Sequence, residues 1–207
     1  MKTCIIALEY LEKDYQETVK CLSKLKYPVF KADRQGWGNM AQAFNIAYKK
    51  NNCQEFDLVW FVTNITFKPS DLEKLIKGIG DYAAICPTYD SDHIHLIPSG
   101  KKGVEEIPFV EFTCPLVKTE AFNKVKLDNQ LPYYYHDLVW SDQVKKLGYK
   151  LAVHNDVEIG HLYLRKRENP EPISIKRDQA RTRDLPNSHK RMIQLYGKNW
   201  REKVWPK

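Results

Sequence analysis

Paired cysteines are missing from this sequence. Its five cysteines (Cys4, Cys21, Cys53, Cys86 and Cys114) are odd in number and widely spaced. None stands at CxxC or metal-knuckle spacing. That argues against a disulfide framework and a zinc ribbon, and for reduced thiols in a cytoplasmic compartment. Other chemistries leave no trace either. There is no GxSxG, no HExxH, no EF-hand loop and no GK[ST] phosphate loop, so hydrolase, zinc-protease and P-loop readings find no support. No apolar run is long enough to span a bilayer. The N-terminal "MKTCIIALEYLEKD" offers five apolar residues before a charge, too few for a secretory signal. Internal repeats and low-complexity tracts are absent too.

What is present is enough for a sizeable core. The 207 residues are 43% hydrophobic and 12% aromatic, which indicates one folded domain with an appendage. The formal charge of +7 is unevenly placed. Residues 165–207 hold 13 Lys/Arg against 5 Asp/Glu, a net +8, so residues 1–164, with 20 against 21, net −1. We expect a domain over 1–164 and a basic segment over 165–207 that packs on it or closes over it. Such a segment is either a solvated surface or the place where an anionic partner is met.

The first part alternates strand and helix signals. "CIIAL", "PVFKA", "LVWFV" and "YAAICP" read as strands, the unbroken apolar ones being covered on both faces. Between them, Asp14 with Glu17, and Ser70 with Glu73, resemble helix caps. Met40, Phe44 and Ala47 share one helical face. Later come irregular strands around "IPFVEFTCPLV", a helix over 137–147 stopped by Gly148, and a strand "YKLAVH". Residues 165–186, polar and with Pro170, Pro172 and Pro186, read as a loop before a short helix near His189 to Tyr196. Alternation of this kind predicts an α/β fold with a mostly parallel central sheet flanked by helices. Ligands then gather outside the carboxyl ends of the strands.

Three loops meet at that edge: the one after Leu8, residues 33–39, and Thr63 to Thr66. In "DRQGWGN", Gly36 and Gly38 before a helix suit either close approach of a phosphate or a plain tight turn, and Arg34 suits a phosphate or bare solvent. His136 and Asp137 open a helix after three tyrosines, where the carboxylate caps the helix or serves as a general base. His161 follows a strand. "YDSDHIH" brings Asp90, Asp92, His93 and His95 together in a metal-like cluster on a loop.

In the order of these parts the chain resembles the nucleotide-diphospho-sugar transferases of the GT-A fold, the family 2 glycosyltransferases above all. The likeness runs from about Met1 to His161. "RQGWGNMAQAFNIAYKK" is similar to that family's N-x-G-x-x-x-A-x-N-x-G segment, with Asn45 in the asparagine's place. "FDLVWFVTNITFKPSDLEKL" resembles its strand ending in Asp-x-Asp. "FTCPLVKTEAF" resembles the segment before the acceptor site, "YYYHDLVWSDQVKKLGYKLAV" the "ED" segment with its downstream "GYk", and "VEIGHL" the strand end with a histidine.

The resemblance implies an inverting transfer of a sugar from a nucleotide-diphospho-sugar, a UDP-sugar first of all, to an acceptor hydroxyl. It implies Asp137 as catalytic base, and Glu9, Tyr10, Asp33, Arg34, Gly36, Gly38, Thr63, Asn64, His136, His161 and Arg165 around the nucleotide sugar. The acceptor it leaves open among glycan, protein and nucleic acid. Where the family has Asp-x-Asp, this chain has Thr63, Asn64 and Ile65, poor ligands for a divalent cation. We therefore expect weak dependence on Mn²⁺ or Mg²⁺, with Arg34, Arg165, Lys166 and Arg167 meeting the diphosphate and Asp90, Asp92 and His161 as fallback metal ligands. The rival reading is a non-catalytic nucleotide-sugar-binding or scaffold protein of the same fold.

Overall fold

The computed structural model describes residues 1–9, 12–33, 39–90, 100–162 and 172–204, with the backbone alone for 172–181. Its sheet runs in the order β2-β1-β3-β7-β5-β8-β4, with β6 on β8. Here β1 is Thr3–Leu8, β2 Val29–Ala32, β3 Leu58–Thr63, β4 Ile65–Thr66, β5 Ala84–Tyr89, β6 Val104–Glu106, β7 Leu116–Lys118 and β8 Leu151–His161. The pairs β1–β2, β1–β3 and β5–β8 are parallel, and β7 is antiparallel to both β3 and β5. Five strands therefore share one direction, in the α/β arrangement expected from the alternating apolar runs. β1, β3 and β5 are buried along their whole length, as strands covered on both faces must be.

The helices are α1 Glu12–Leu22, α2 Met40–Lys50, α3 Pro69–Gly78, α4 Thr119–Lys124, α5 His136–Lys146, α6 Pro172–Tyr196 and α7 Trp200–Val204. On α2, Phe44 meets Phe61 of β3 edge to face at 5.1 Å. Phe112, Phe122 and Trp140 continue this aromatic core across α4 and α5. Asn39 caps α2, its Oδ1 accepting from the Gln42 N–H at 3.0 Å. One turn on, Asn45 bridges two parts of the chain. Its Nδ2 donates to the Leu127 carbonyl and to Asn129 Oδ1, both at 2.8 Å, and its Oδ1 accepts from the Leu127 N–H.

Two caps differ from expectation. Asp71, not Ser70 with Glu73, closes α3: its carboxylate accepts the Lys68 N–H at 2.8 Å while the Asp71 N–H returns to the Lys68 carbonyl. Pro69 begins that helix, where its missing donor costs nothing, which moves the cap upstream. α1 likewise starts at Glu12, leaving Asp14 buried inside its first turn. The larger correction lies near the end of the chain. Of residues 165–186, those from Pro172 onward are helix, and α6 runs on through Pro186 to Tyr196. An internal proline costs about 3 kcal/mol. Here the turns that follow are docked: Met192 and Trp200 are buried against Leu131 and Val139, with Leu195 and Tyr196 packed beside them. That packing is long-range, so composition could not show it. Among the described residues no helix is long and apolar enough to cross a membrane.

Asn45→Ala removes three hydrogen bonds between α2 and residues 127–129. It is expected to lower unfolding free energy by about 2 kcal/mol, read as a lower urea midpoint with an unchanged slope. An unshifted midpoint would show that the bridge contributes nothing.

Candidate functional site

The register levels the strand ends. Leu8 pairs with Ala32 on one side and Thr63 on the other, so β1, β2 and β3 finish together, followed by Glu9, Asp33 and Asn64. β5 ends at Tyr89 and β8 at His161, on the same edge. An offset between Pro87 and Thr88 breaks the β5–β8 register, and Thr88 Oγ1 donates to the Val157 carbonyl at 3.0 Å across it. Beyond the offset, β8 turns to pair with β4, setting His161 opposite Ile65.

Asn64 is the corner between β3 and β4. It holds φ 51, a left-handed conformation that asparagine tolerates better than most residues. The corner is tied on both sides. The Leu162 N–H donates to the Asn64 carbonyl at 2.8 Å, and Thr18 Oγ1 accepts from the Ile65 N–H and lies 3.0 Å from the Ile65 carbonyl. The Asn64 side chain is buried, yet its Oδ1 has no partner among the described residues. Thr63 beside it is buried too, its N–H donating to the Thr113 carbonyl at 2.9 Å. Across the corner, Asp90 Oδ1 accepts the His161 N–H at 2.9 Å, and the His161 ring meets the Tyr89 ring edge to face. Asp90, His161 and Asn64 are thereby gathered at one place.

The stretch entering β7 completes the edge. Glu111 is buried there, close enough to Tyr89 and Cys86 for its carboxylate to help raise both of their pKa values, although burial is the larger cause. Its neighbour Phe112 packs against Phe61 and Trp140 and meets the His136 ring at 6.3 Å. This contact carries the N-terminus of α5 to the strand ends. His136 is buried, with neither ring nitrogen partnered among the described residues. Burial pushes its pKa below the ordinary value, and the Asp137 charge only partly opposes that. Asp137 is half-buried at the first turn of α5, its Oδ1 accepting from the Leu138 N–H at 2.9 Å.

Tyr135, just before α5, also has positive φ, at 70°. It is held by the C-terminal helices: its ring stacks on His189 and meets Trp200 at 4.9 Å, and its hydroxyl is 2.8 Å from His189 Nε2. Arg191 pairs with Asp128 at 2.8 Å, and the Tyr196 hydroxyl donates to Asp142. Residues 182–204 are thus fastened across α5 and the loop before it.

The sequence-derived candidates divide accordingly. Thr63, Asn64, His161 and Asp90 lie on one edge; His136 meets Phe112 of the stretch along it, and Asp137 follows His136 on α5. Glu9 lies further along the edge, engaged with Lys31 at 2.5 Å, and Asp33 is exposed after β2. Tyr10, Arg34, Gly36, Gly38, Asp92 and Arg165, with His93, His95, Lys166 and Arg167, lie outside the described residues. Glu111 and Tyr135 were not singled out from the sequence. A lone carboxylate inside the apolar run "PFVEF" was the available signal for Glu111; nothing local marks Tyr135. The described residues suit a divalent cation poorly. No three His, Cys, Asp or Glu among them converge, and Asp90 is already turned onto the His161 N–H.

An unfolded histidine titrates near pH 6.5. Below that value the unfolded chain takes up a proton that buried His136 refuses, so this residue lowers stability as pH falls from about 6.5 toward its depressed folded pKa. Tm measured between pH 7.5 and 5.5 should drop more for the natural chain than for His136→Phe. Parallel curves would mean that His136 is not held neutral.

Comparison with known proteins agrees on architecture. The chain is similar to the crystal structure of GalNAc-T7 with UDP, GalNAc and Mn²⁺, at 13% identity and a TM-score of 0.56, over 78% of this chain and 44% of that one. It is also similar to the crystal structure of A197 from STIV, at 12% identity and a TM-score of 0.55, over 77% of this chain and 84% of that one. The chain spans under half the length of the first. No family model and no curated protein matches it. Identities this low speak to the fold alone, and that fold is GT-A-like: a mixed α/β domain built on a largely parallel central sheet flanked by helices.

Proposed function

We propose that the chain is a family 2-like, inverting glycosyltransferase that moves a sugar from a nucleotide-diphospho-sugar to an acceptor hydroxyl. The observation that carries this reading is two buried polar groups without a partner among the described residues, Asn64 Oδ1 at the strand ends and the His136 ring at the start of α5. Leaving such groups unpaired costs about 1–3 kcal/mol each, and a hydroxyl-rich ligand at this edge would supply the missing partners. A UDP-sugar donor rests on the UDP bound to GalNAc-T7 and on the shared fold. Five free thiols support a reducing, cytoplasmic setting.

In this reading Asp137 accepts the proton of the acceptor hydroxyl as its oxygen attacks the anomeric carbon. The bond from that carbon to the diphosphate breaks on the opposite face, and its electron pair leaves on the phosphate oxygen. Thr63 and Asn64 bond donor hydroxyls. The leaving charge falls to the cationic side chains Arg34 and Arg165 to Arg167 rather than to a metal, because the described residues are a poor fit for one. The acceptor is a glycan, a protein or a nucleic acid.

A second reading, a non-catalytic nucleotide-sugar-binding or scaffold protein, draws on the local bond from the Leu138 N–H to Asp137, which by itself accounts for a carboxylate at a helix start. Asp137→Asn separates the two. It should abolish transfer from a UDP-sugar while preserving the thermal shift caused by UDP. A variant that transfers as well as the natural chain would remove Asp137 from the chemistry.

UDP at a hundredfold excess over Kd is expected to raise Tm by roughly 5–10 °C, with little added by Mn²⁺. A shift that appears only with Mn²⁺ would overturn the metal-light site. Asn64→Gly keeps the backbone conformation, so it should change Tm little and weaken UDP-sugar binding about tenfold.

A further inference from the structure

The charge excess of the last 43 residues has a shape that composition does not show. On α6, the side chains at 183, 187, 190 and 194 recur at helical spacing, and Arg183, Asn187, Lys190 and Gln194 are all exposed. The other side of the helix is the packed one, with Ser188 and Met192 buried. The outward stripe therefore carries cations and neutral amides, with no carboxylate in it. Lys198, Arg201 and Lys203 continue the exposed positive surface through the turn and α7. Among nearby acids, Asp184 pairs with Arg183 and Asp128 of the domain is taken by Arg191, while Glu202 is exposed between Arg201 and Lys203, leaving the surface net positive.

We propose that this face of α6 and α7 is a docking surface for a nucleic-acid strand, gripped by its phosphodiester backbone. From Arg183 to Gln194 the stripe runs about 17 Å, roughly half of one turn of duplex at about 34–36 Å. Arg183 and Lys190 on the stripe, with Lys198, Arg201 and Lys203 beyond it, suit a polymer whose charge repeats at fixed intervals. Amide side chains between them bond phosphate oxygens or bases equally well. A membrane surface fits less well. An interfacial helix needs an exposed apolar face, and here Ile193 is the exposed large hydrophobic of residues 182–204, with Met192, Leu195, Tyr196, Trp200 and Val204 turned onto the domain.

The surface is also fastened to the candidate site. His189 and Trp200 hold Tyr135, two residues before Asp137, so the helices that carry this surface also brace the start of α5. If the proposed transferase activity holds, the docked polymer is the acceptor, and a ribose 2′ or chain-terminal hydroxyl is what Asp137 deprotonates. That last step rests on the proposed function, whereas the docking does not.

Fluorescence anisotropy of the full chain with fluorescein-labelled 30-mer DNA, single-stranded and duplex, at 50–200 mM NaCl tests the surface. Affinity should fall with salt, at a logarithmic slope of roughly −3 to −5 for the five exposed cations. The charge-reversal variant Arg183→Glu/Lys190→Glu/Lys198→Glu should bind at least tenfold more weakly at 100 mM NaCl, with a slope shallower by about 2–3, and should keep its Tm and its UDP-induced shift. Absence of binding at 50 mM NaCl, or equal binding by the variant, would overturn the proposal. So would co-sedimentation with phosphatidylserine vesicles by a protein that ignores DNA. DNA binding without any UDP shift would sink the glycosyl-transfer reading and leave the surface standing.

Discussion

The backbone pairing of residues 113–118 between β3 and β5 is the constraint on which the site depends. β1, β2 and β3 form one parallel group, β5 and β8 another, and each group alone would leave an open edge of unpaired N–H and C=O groups. The antiparallel insertion of β7 satisfies both edges at once. It also obliges the preceding residues to run along the carboxyl ends of the strands, where Thr113 bonds Thr63 and Phe112 reaches His136. Glu111 is buried at the edge for the same reason.

A second consequence concerns Asn64. Because β8 shifts register beside Pro87 and bends, its end reaches β4, and the corner between β3 and β4 is clamped by Leu162 and Thr18. The backbone at Asn64 is thus fixed by neighbours on both sides, while its side-chain oxygen keeps no partner among the described residues. Such a group is costly in a folded domain unless something else completes it. The strand-end edge thus joins a backbone held from both sides to a polar atom without a partner among the described residues.

The C-terminal helices belong to the same construction. The ring stack of Tyr135 with His189 and Trp200 supports a left-handed residue directly before α5, and α5 carries His136 and Asp137. With the apolar side of α6 committed to this contact, Arg183 and Lys190 are left on the outside, while Arg191 turns to Asp128 of the domain. Which face of α6 is packed therefore decides both what braces α5 and which cations of the helix meet solvent.

Strands β1 and β3 and helices α2 and α5 were legible in the sequence, because a run such as "CIIAL" or the spacing of Met40, Phe44 and Ala47 is a local pattern with a local meaning. The α/β class and the common edge for the loop after Leu8, residue 33 and Thr63 to Thr66 followed from alternation alone, whereas His161 joins that edge through the bend of β8. Prolines and polar residues misled at α6, since the packing of Met192 and Trp200 that sustains it comes from residues 131 and 139. The antiparallel β7, the burial of Glu111 and the unpartnered state of Asn64 and His136 were likewise beyond reach. Sequence by itself determined which segments are apolar enough to be strands and where the charge lies, because those are properties of neighbouring residues. Only the tertiary structure decided which polar atoms are left without a partner, because that depends on every chain segment that passes within hydrogen-bond distance.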